Sequence, residues 1–128
     1  MNRLLYGWIL APLVCVTAVA EPSASPPASD GRVFRAQFTT AIESREPVDQ
    51  VLVLREPARQ VYFYTDLRHL EGRTVTHRWA FEGQQVSHKS FDVGGPRWRV
   101  FSSKTLQPGQ FGEWSVTVVD QSGWPLYT

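Results

Sequence analysis

Two histidines come closest, by residue type and spacing, to metal-binding chemistry. Glu82-Gly83 occupies a place where a two-residue hairpin turn favours glycine, and in the hairpin it closes His77 lies opposite His88. A carboxylate such as Asp66 or Glu113 could join them, but no third ligand follows at a defined spacing. We therefore expect no metal and no cofactor, and interpret His77 as a half-buried histidine that is satisfied by a backbone group.

Nucleophilic catalysis would need a serine, a histidine and an orienting acid in one pocket. Ser102, Ser103, His77 and Asp66 provide the residue types, but no nucleophile elbow or similar signature places them together. Paired carboxylates for glycoside hydrolysis would have to come from scattered single acids. The sequence therefore favours a protein that is not an enzyme.

A set of arginines and aromatic residues is the strongest candidate for a binding surface. Arg97, Arg99 and Phe101 alternate with Trp98 and Val100, so they point away from the core once Trp98 is buried. Tyrosine and arginine are enriched where interfaces concentrate their binding energy. The predicted binding face, on two strands expected to be neighbours, consists of Tyr62, Tyr64, Arg97, Arg99 and Phe101.

This face has two functional interpretations and one structural interpretation. The first is an interaction module that binds another cell-envelope protein, and the second is a module that binds an anionic polysaccharide or peptidoglycan through rings and guanidinium groups. Exposed Phe101 favours the protein partner. The structural interpretation is a cross-strand ladder in which the arginines lie over the tyrosines and pair with Asp66.

The elements that must position these residues are strands. Apolar residues alternate with polar residues in short segments between turn signals, and no segment shows helical periodicity after the N-terminal region. Besides the strand of Trp98, the predicted strands are Arg32 to Ile42 (with Phe34, Ala36, Phe38 and Thr40 on one face, and ended by an Arg45-Glu46-Pro47 break), Val51 to Leu54, Gln60 to Leu67, Thr74 to Phe81, Gln84 to Val93, Gly112 to Val119 and Trp124 to Tyr127.

These strands predict an all-β, immunoglobulin-like β-sandwich of seven to eight short strands without a disulfide. One sheet should hold the strands of Phe34, Tyr62 and Trp98, and the other those of Trp79, Val86 and Trp114. The structural core should be built on Trp79, Trp98 and Trp114. In the hairpin, paired residue numbers should sum to 165, which sets Trp79 opposite Val86 and Arg73 opposite Asp92, and a parity switch between Val86 and Phe91 indicates a bulge or a crossing between sheets.

The N-terminal region differs in composition from the predicted domain, residues 32–128. Residues 1–20 combine Arg3, an apolar run and Ala18-Val19-Ala20, as in a signal peptide, whereas residues 21–31 read as a disordered linker rich in proline, serine and alanine. Cleavage would remove Cys15, the only cysteine, and would leave 12 basic and 12 acidic residues. We therefore expect a periplasmic or secreted domain with no membrane span and no nucleic-acid partner.

Several motifs resemble the bacterial exported family called domain of unknown function 2914. They are Arg45-Glu46-Pro47, Tyr62-Phe63-Tyr64-Thr65, Gly72-x-x-Val75-x-His77-Arg78-Trp79, Val93-Gly94-Gly95-Pro96-Arg97-Trp98-Arg99-Val100, Ser102-Ser103-Lys104 and Gly112-Glu113-Trp114-x-Val116. The resemblance implies an exported bacterial module, sometimes attached to larger membrane proteins. It implies no activity and no functional residues, so function has to be argued from the site.

Overall fold

The computed structural model describes residues 30–55 and 58–128. Within them the regular elements are nine strands. Three strands have only two or three residues, and the other six have between six and nine. The strands are β1 (Arg32–Thr39), β2 (Ile42–Glu43), β3 (Glu46–Pro47), β4 (Gln60–Arg68), β5 (Thr74–Phe81), β6 (Gln84–Asp92), β7 (Arg97–Thr105), β8 (Trp114–Val119) and β9 (Pro125–Tyr127).

The strands form two main antiparallel sheets and one small hairpin. Sheet 1 has the order β1-β4-β7, sheet 2 has the order β6-β5-β8-β9, and β2 pairs with β3. The chain crosses between sheets after β4, β6 and β7, as in an immunoglobulin-type sandwich. The predicted all-β sandwich is confirmed, and so is the predicted division of the strands of Phe34, Tyr62, Trp98, Trp79, Val86 and Trp114 between the two sheets.

The segment between β1 and β4 differs from the prediction. Residues 51–54 form no strand, and the two-residue hairpin of β2 and β3 precedes them instead. Its turn residues Ser44 and Arg45 have φ values of 50° and 62°. Two consecutive residues with positive φ are typical of the tight hairpin turns that match strand twist. The Arg45-Glu46-Pro47 motif therefore turns the chain back on itself instead of only ending β1.

The β5–β6 hairpin closes at Glu82-Gly83 as predicted, but the predicted register is wrong beyond the first two residue pairs. Phe81 pairs with Gln84 and Ala80 with Gln85, after which Trp79 pairs with Ser87. Val86 is the extra residue of a bulge at the start of the interval where the parity switch indicated one. The shift moves every later pair by one residue, so His77 pairs with Lys89, Arg78 with His88 and Thr74 with Asp92.

A second bulge reverses the expected orientation of Phe34. Val33 pairs with Leu67 and Arg35 with Asp66, which leaves Phe34 unpaired in β1. Phe34 is 53% exposed, and Arg68 lies 4.0 Å from its ring centre. Its predicted place on one face with Ala36 and Phe38 is therefore wrong, because one inserted residue changes which side of the strand faces the core.

The core lies between the two sheets and is centred on Trp79. Trp79 is 1% exposed and contacts the ring of Phe38 at 5.8 Å between centroids. Trp98 and Trp114, predicted to meet it inside, are only partly buried at the edge of the core. Trp98 packs on Gly94, where an added Cβ would lie 2.9 Å from the indole ring. The glycine in the Gly94-Gly95-Pro96 crossing thus makes room for this side chain.

A buried polar cluster links the two sheets through His77. His77 is 0% exposed, its Nε2 lies 3.0 Å from Thr65 Oγ1 on β4, and its Nδ1 lies 2.7 Å from Ser102 Oγ on β7. Trp79 Nε1 donates a second hydrogen bond to the same Ser102 oxygen at 2.9 Å. Both imidazole nitrogens are therefore satisfied by side-chain hydroxyl groups, not by the backbone group that we expected.

The expected signal peptide, residues 1–20, and most of the expected linker, residues 21–31, lie outside the described residues. The described part of the chain begins at Asp30, shortly before β1.

Replacing Trp79 with alanine should destabilise the domain far more than the same change at Trp98 or Trp114. Truncating a fully buried tryptophan leaves a cavity and costs about 3 to 5 kcal/mol of unfolding free energy, whereas partly buried rings lose less contact. Here the change also removes the hydrogen bond to Ser102. Urea unfolding of the three variants, followed by circular dichroism, measures the difference. Equal losses at all three positions would contradict the assignment of Trp79 as the centre of the core.

Stability should fall as the pH is lowered from 7.5 to 5. Burial, with a smaller contribution from the charge of Lys89, lowers the pKa of His77 to about 3. The unfolded chain binds a proton at His77 below about pH 6.5, whereas the folded protein stays unprotonated until about pH 3, so the unfolding free energy should drop by about 2 kcal/mol over this range. Carboxylate effects begin at lower pH, because their unfolded pKa values lie near 4.

Urea midpoints at pH 7.5 and 5.0 test this expectation, and two variants show which histidine is responsible. The variant His77→Gln should lose most of the pH dependence, because it removes the titrating group. The matched control His88→Gln, at an exposed position on β6, should retain it. A pH dependence that survives in His77→Gln would show that another group is the source.

Candidate functional site

The outer face of sheet 1 carries four arginines arranged around two carboxylates. We call this surface the arginine face. Its charged members come from β1, β3, β4 and β7, which are adjacent because β4 lies between β1 and β7 and the β2–β3 hairpin folds over them. The arginine face comprises Arg35, Arg68, Arg97, Arg99, Glu46 and Asp66.

Glu46 attaches the β2–β3 hairpin to the sheet. Its carboxylate accepts hydrogen bonds from Arg35 Nη2 at 2.6 Å and from Arg99 Nη1 at 2.5 Å. These two hydrogen bonds lower the pKa of Glu46 below its ordinary value, since they favour the charged form. Glu46 therefore remains ionised and joins β1, β3 and β7 at one point.

Asp66 is the buried acid of the arginine face. It is 1% exposed, and its carboxylate accepts hydrogen bonds from Arg68 Nε at 3.0 Å and Arg97 Nη2 at 3.3 Å. Burial raises the pKa of Asp66, but the bonds to the two arginines outweigh burial and the pKa lies below its ordinary value. A buried carboxylate is stable when it is paired in this way. The cluster as a whole keeps two positive charges in excess.

The five residues of the predicted binding face share one side of sheet 1 but differ in accessibility. Tyr64 pairs with Phe101 and Tyr62 with Ser103, so the expected adjacency of the two strands is present. Tyr64 is nonetheless 1% exposed, because Arg35 lies 4.9 Å from its ring centre and Glu46 lies beside its hydroxyl group. The accessible members are Arg97, whose side chain is 53% exposed, and Phe101, which is 40% exposed. Tyr62 and Arg99 are half-buried.

A groove runs along the side of the sandwich where β6 of sheet 2 faces β7 of sheet 1. We call it the β6–β7 seam. It consists of two clefts of about 300 and 480 Å³, and Lys89 lines both of them. The first cleft has Trp98 and Phe101 in its wall, and the second has Ser102 and Lys104. Along β7 the lining is continuous from residue 98 to residue 105.

The seam is cationic. Its described lining contains no aspartate or glutamate, although four lysine or arginine residues lie in it. Arg99 is neutralised by Glu46, while no carboxylate of the described residues lies within 4.0 Å of Lys89, Lys104 or Arg45. The cationic residues of the lining are Arg45, Lys89, Arg99 and Lys104.

His77 and Ser102 form a hydrogen-bonded pair whose surroundings disfavour catalysis. Ser102 is 4% exposed and accepts from Trp79, and the other nitrogen of His77 contacts Thr65. Asp66, the acid considered for a triad, points to the opposite face of β4, where it binds arginines. An imidazole with a pKa of about 3 is a weak base at neutral pH.

The two candidate metal ligands lie on opposite sides of sheet 2. His77 points into the core, whereas His88 pairs with Arg78 and is exposed. The one-residue bulge at Val86 separates them, since it puts Lys89 where His88 was predicted. Within residues 30–55 and 58–128, no group of three or more potential metal ligands is present.

Sequence reasoning missed the residues that organise the arginine face and the seam. Arg35, Glu46 and Lys89 were assigned no role, and Arg45-Glu46-Pro47 was interpreted as a break. Serine and arginine give no strong turn signal, so the hairpin could not be located. The one available signal was compositional, because arginines so outnumber lysines in this sequence that paired or stacked guanidinium groups are favoured.

Comparison with known proteins adds a family match over part of the chain but no activity. None of the described residues forms a helix with the length and apolar character needed to cross a membrane. Searches of curated proteins and of solved structures found no match to the chain. A family model described as "Protein of unknown function (DUF2914)" matches residues 72–128, which run from the loop before β5 to β9. Over these residues, which carry the His-Arg-Trp, Arg-Trp-Arg and Gly-Glu-Trp motifs, the chain matches the DUF2914 family.

Proposed function

We propose that this protein is a non-catalytic, exported interaction module whose arginine face binds another protein of the cell envelope. The observation that carries the proposal is the exposed combination of Arg97 and Phe101 on β7, directly beside an ordered cluster of ion pairs. An arginine and an aromatic ring at one surface are the residue types that dominate binding energy at protein interfaces.

The ion pairs beneath this surface support its use in recognition. Asp66 accepts hydrogen bonds from Arg97, which restricts the guanidinium group without burying it. An ordered side chain loses less entropy when a partner binds, so preorganisation increases affinity. The excess of positive charge on the cluster favours a partner with acidic groups and would accelerate association at low ionic strength.

Binding of an anionic glycan is the second candidate function. The observation in its favour is the cationic lining of the β6–β7 seam, where Trp98 and Phe101 supply rings and exposed Ser103 supplies a hydroxyl group. Rings with adjacent hydrogen-bond donors bind sugars. We favour the protein partner because Phe101 presents an apolar ring that is 40% exposed, and interface cores concentrate aromatic residues.

Replacing Arg97 and Phe101 with serine should remove partner binding while the fold is retained. The partner is first identified by a photo-crosslinking amino acid at Phe101 in the exported protein, and is then purified for measurement of the dissociation constant. Because the two side chains are exposed, we expect the melting temperature to change by only a few degrees and the dissociation constant to rise at least tenfold.

Arg78→Ser is the matched control, since Arg78 is exposed on β5 in the other sheet. It should leave the dissociation constant unchanged. The proposal fails if a crosslinker at Arg78 captures the same proteins as one at Phe101, or if the double variant binds the purified partner with unchanged affinity.

The variant Arg99→Ser should loosen the β2–β3 hairpin, whereas Arg97→Ser should not. Arg99 joins Glu46 to β7, so its loss should free the β2–β3 hairpin and speed amide hydrogen exchange in residues 42–47. Arg97 is more exposed, and Asp66 retains its ion pair with Arg68 when Arg97 is removed. Arg97→Ser should therefore leave the hydrogen exchange of residues 42–47 nearly unchanged. Hydrogen exchange read by mass spectrometry measures both. Similar exchange in the two variants would contradict the anchoring role of Arg99.

A further inference from the structure

The β6–β7 seam is bordered by the backbone edges of two strands. Among the described strands, β6 ends sheet 2 and pairs only with β5, while β7 ends sheet 1 and pairs only with β4. Among the described residues, no backbone hydrogen bond reaches the second edge of β7 between residues 98 and 104. An uncovered edge presents alternating N–H and C=O groups that can pair with another extended chain.

The other two edges of the sandwich are less available. The segment after β3 covers part of β1, because Val51 donates to the Phe38 carbonyl and Gln37 donates to the Asp49 carbonyl. β9 has only three residues. Of the two long edges, β6 is interrupted by the bulge at Val86, whereas β7 pairs with β4 over nine consecutive residues without a shift. The regular backbone of β7 is therefore the best template for an additional strand.

The side chains along β7 select the composition of such a strand. A strand added to β7 would point alternate side chains to the two faces of sheet 1. Those on the outer face would lie beside Arg97 and Arg99, and those on the inner face beside Trp98 and Val100. Lys89 and Lys104 add positive charge to the seam, and no described lining residue is acidic. The matching sequence alternates acidic and apolar residues.

We infer that the seam receives an extended acidic segment of the partner, which adds as a strand to the free edge of β7. This inference rests on the proposed function, since it names the part of the partner that the module recognises. Backbone hydrogen bonds to β7 supply affinity, while the lysines and arginines supply selectivity for acidic side chains. Phe101 and Arg99 border both the arginine face and the seam, so one partner can contact the two together.

Lys89 and Lys104 also have a simpler explanation. Charged side chains that point inward at an exposed edge prevent two sheets from joining edge to edge. On that explanation the lysines would keep copies of the domain apart and would bind nothing. The two explanations differ in what an acidic peptide does, so the peptide is the decisive probe.

The test measures binding of fluorescent nine-residue peptides to residues 21–128 of the protein by fluorescence anisotropy. One peptide alternates glutamate with valine, a second alternates lysine with valine, and a third has the first sequence with N-methyl groups on alternate backbone amides. We expect the acidic peptide to bind at least tenfold more tightly than either of the others. In nuclear magnetic resonance spectra, it should shift amide signals of residues 98–104 and leave those of β1 and β9 unchanged.

Two protein variants and a glycan complete the design. Lys89→Glu with Lys104→Glu should weaken acidic-peptide binding at least tenfold, and Arg78→Glu, the matched control on the far sheet, should not. Oligogalacturonate should not displace the peptide. Circular dichroism establishes whether the variants fold. If a variant does not fold, the comparison of the three peptides with the unaltered domain still tests the inference.

Three results would overturn the inference. Equal binding of the N-methylated peptide would mean charge attraction without strand addition, and displacement by oligogalacturonate would assign the seam to a glycan. Absence of acidic-peptide binding, together with self-association of the lysine variant, would assign the lysines to edge protection. If a partner crosslinked at Phe101 still binds the arginine face in that case, the proposed function stands and only the strand-addition step fails.

Discussion

The pair of hydrogen bonds made by His77 is the constraint on which the rest of the structure depends. One imidazole joins Thr65 on β4 to Ser102 on β7, and His77 itself belongs to β5 in the other sheet. A buried polar group without a partner costs about 1 to 3 kcal/mol, so the side chains have to keep their relative positions. Holding Ser102 inward fixes the parity of β7, and that parity sends Arg97, Arg99 and Phe101 outward. The proposed binding surface is thus determined by a polar contact in the core.

The alternation of side chains predicted the two sheets, but single inserted residues made the predicted register and side-chain facing wrong. The strands around Tyr62, Trp79 and Trp98 were found because core-type side chains alternate with polar or amphipathic ones along part of each strand. The bulges at Phe34 and Val86 each add one residue and reverse the facing of the residues beyond it. No pattern indicates the first bulge, and the parity switch between Val86 and Phe91 did not distinguish the second from a crossing between sheets. For the same reason, the pairing of β5 with β6 beyond the turn could not be predicted, and His88 was placed opposite His77.

The candidate site shows a second limit, since alternation predicts which face a residue points to and not what covers that face. Tyr64 does lie on the outer parity of β4, yet it is buried under a hairpin whose sequence looked like a break. The contact that closes over it joins Arg35 to Glu46, two residues assigned no role. Pairing of this kind, between side chains on different elements, depends on the three-dimensional path of the chain. Composition, with its excess of arginine over lysine, indicated that such pairs exist but could not say which carboxylates they use.

A structural ladder of ion pairs and the proposed binding surface are compatible, because the arginine face has more positive than negative charges. Glu46 and Asp66 form ion pairs with the guanidinium groups around them, but two carboxylates cannot neutralise four arginines. The same imbalance continues into the seam, where Lys89 and Lys104 line one cleft without a described carboxylate. Like charges gathered at a strand edge repel one another, and the proposed anionic strand would both offset this repulsion and pair with the backbone groups of the edge. The crossing at Gly94-Gly95-Pro96 creates this arrangement, because it sends the chain from β6 to the other sheet and leaves both edges without a partner among the described strands.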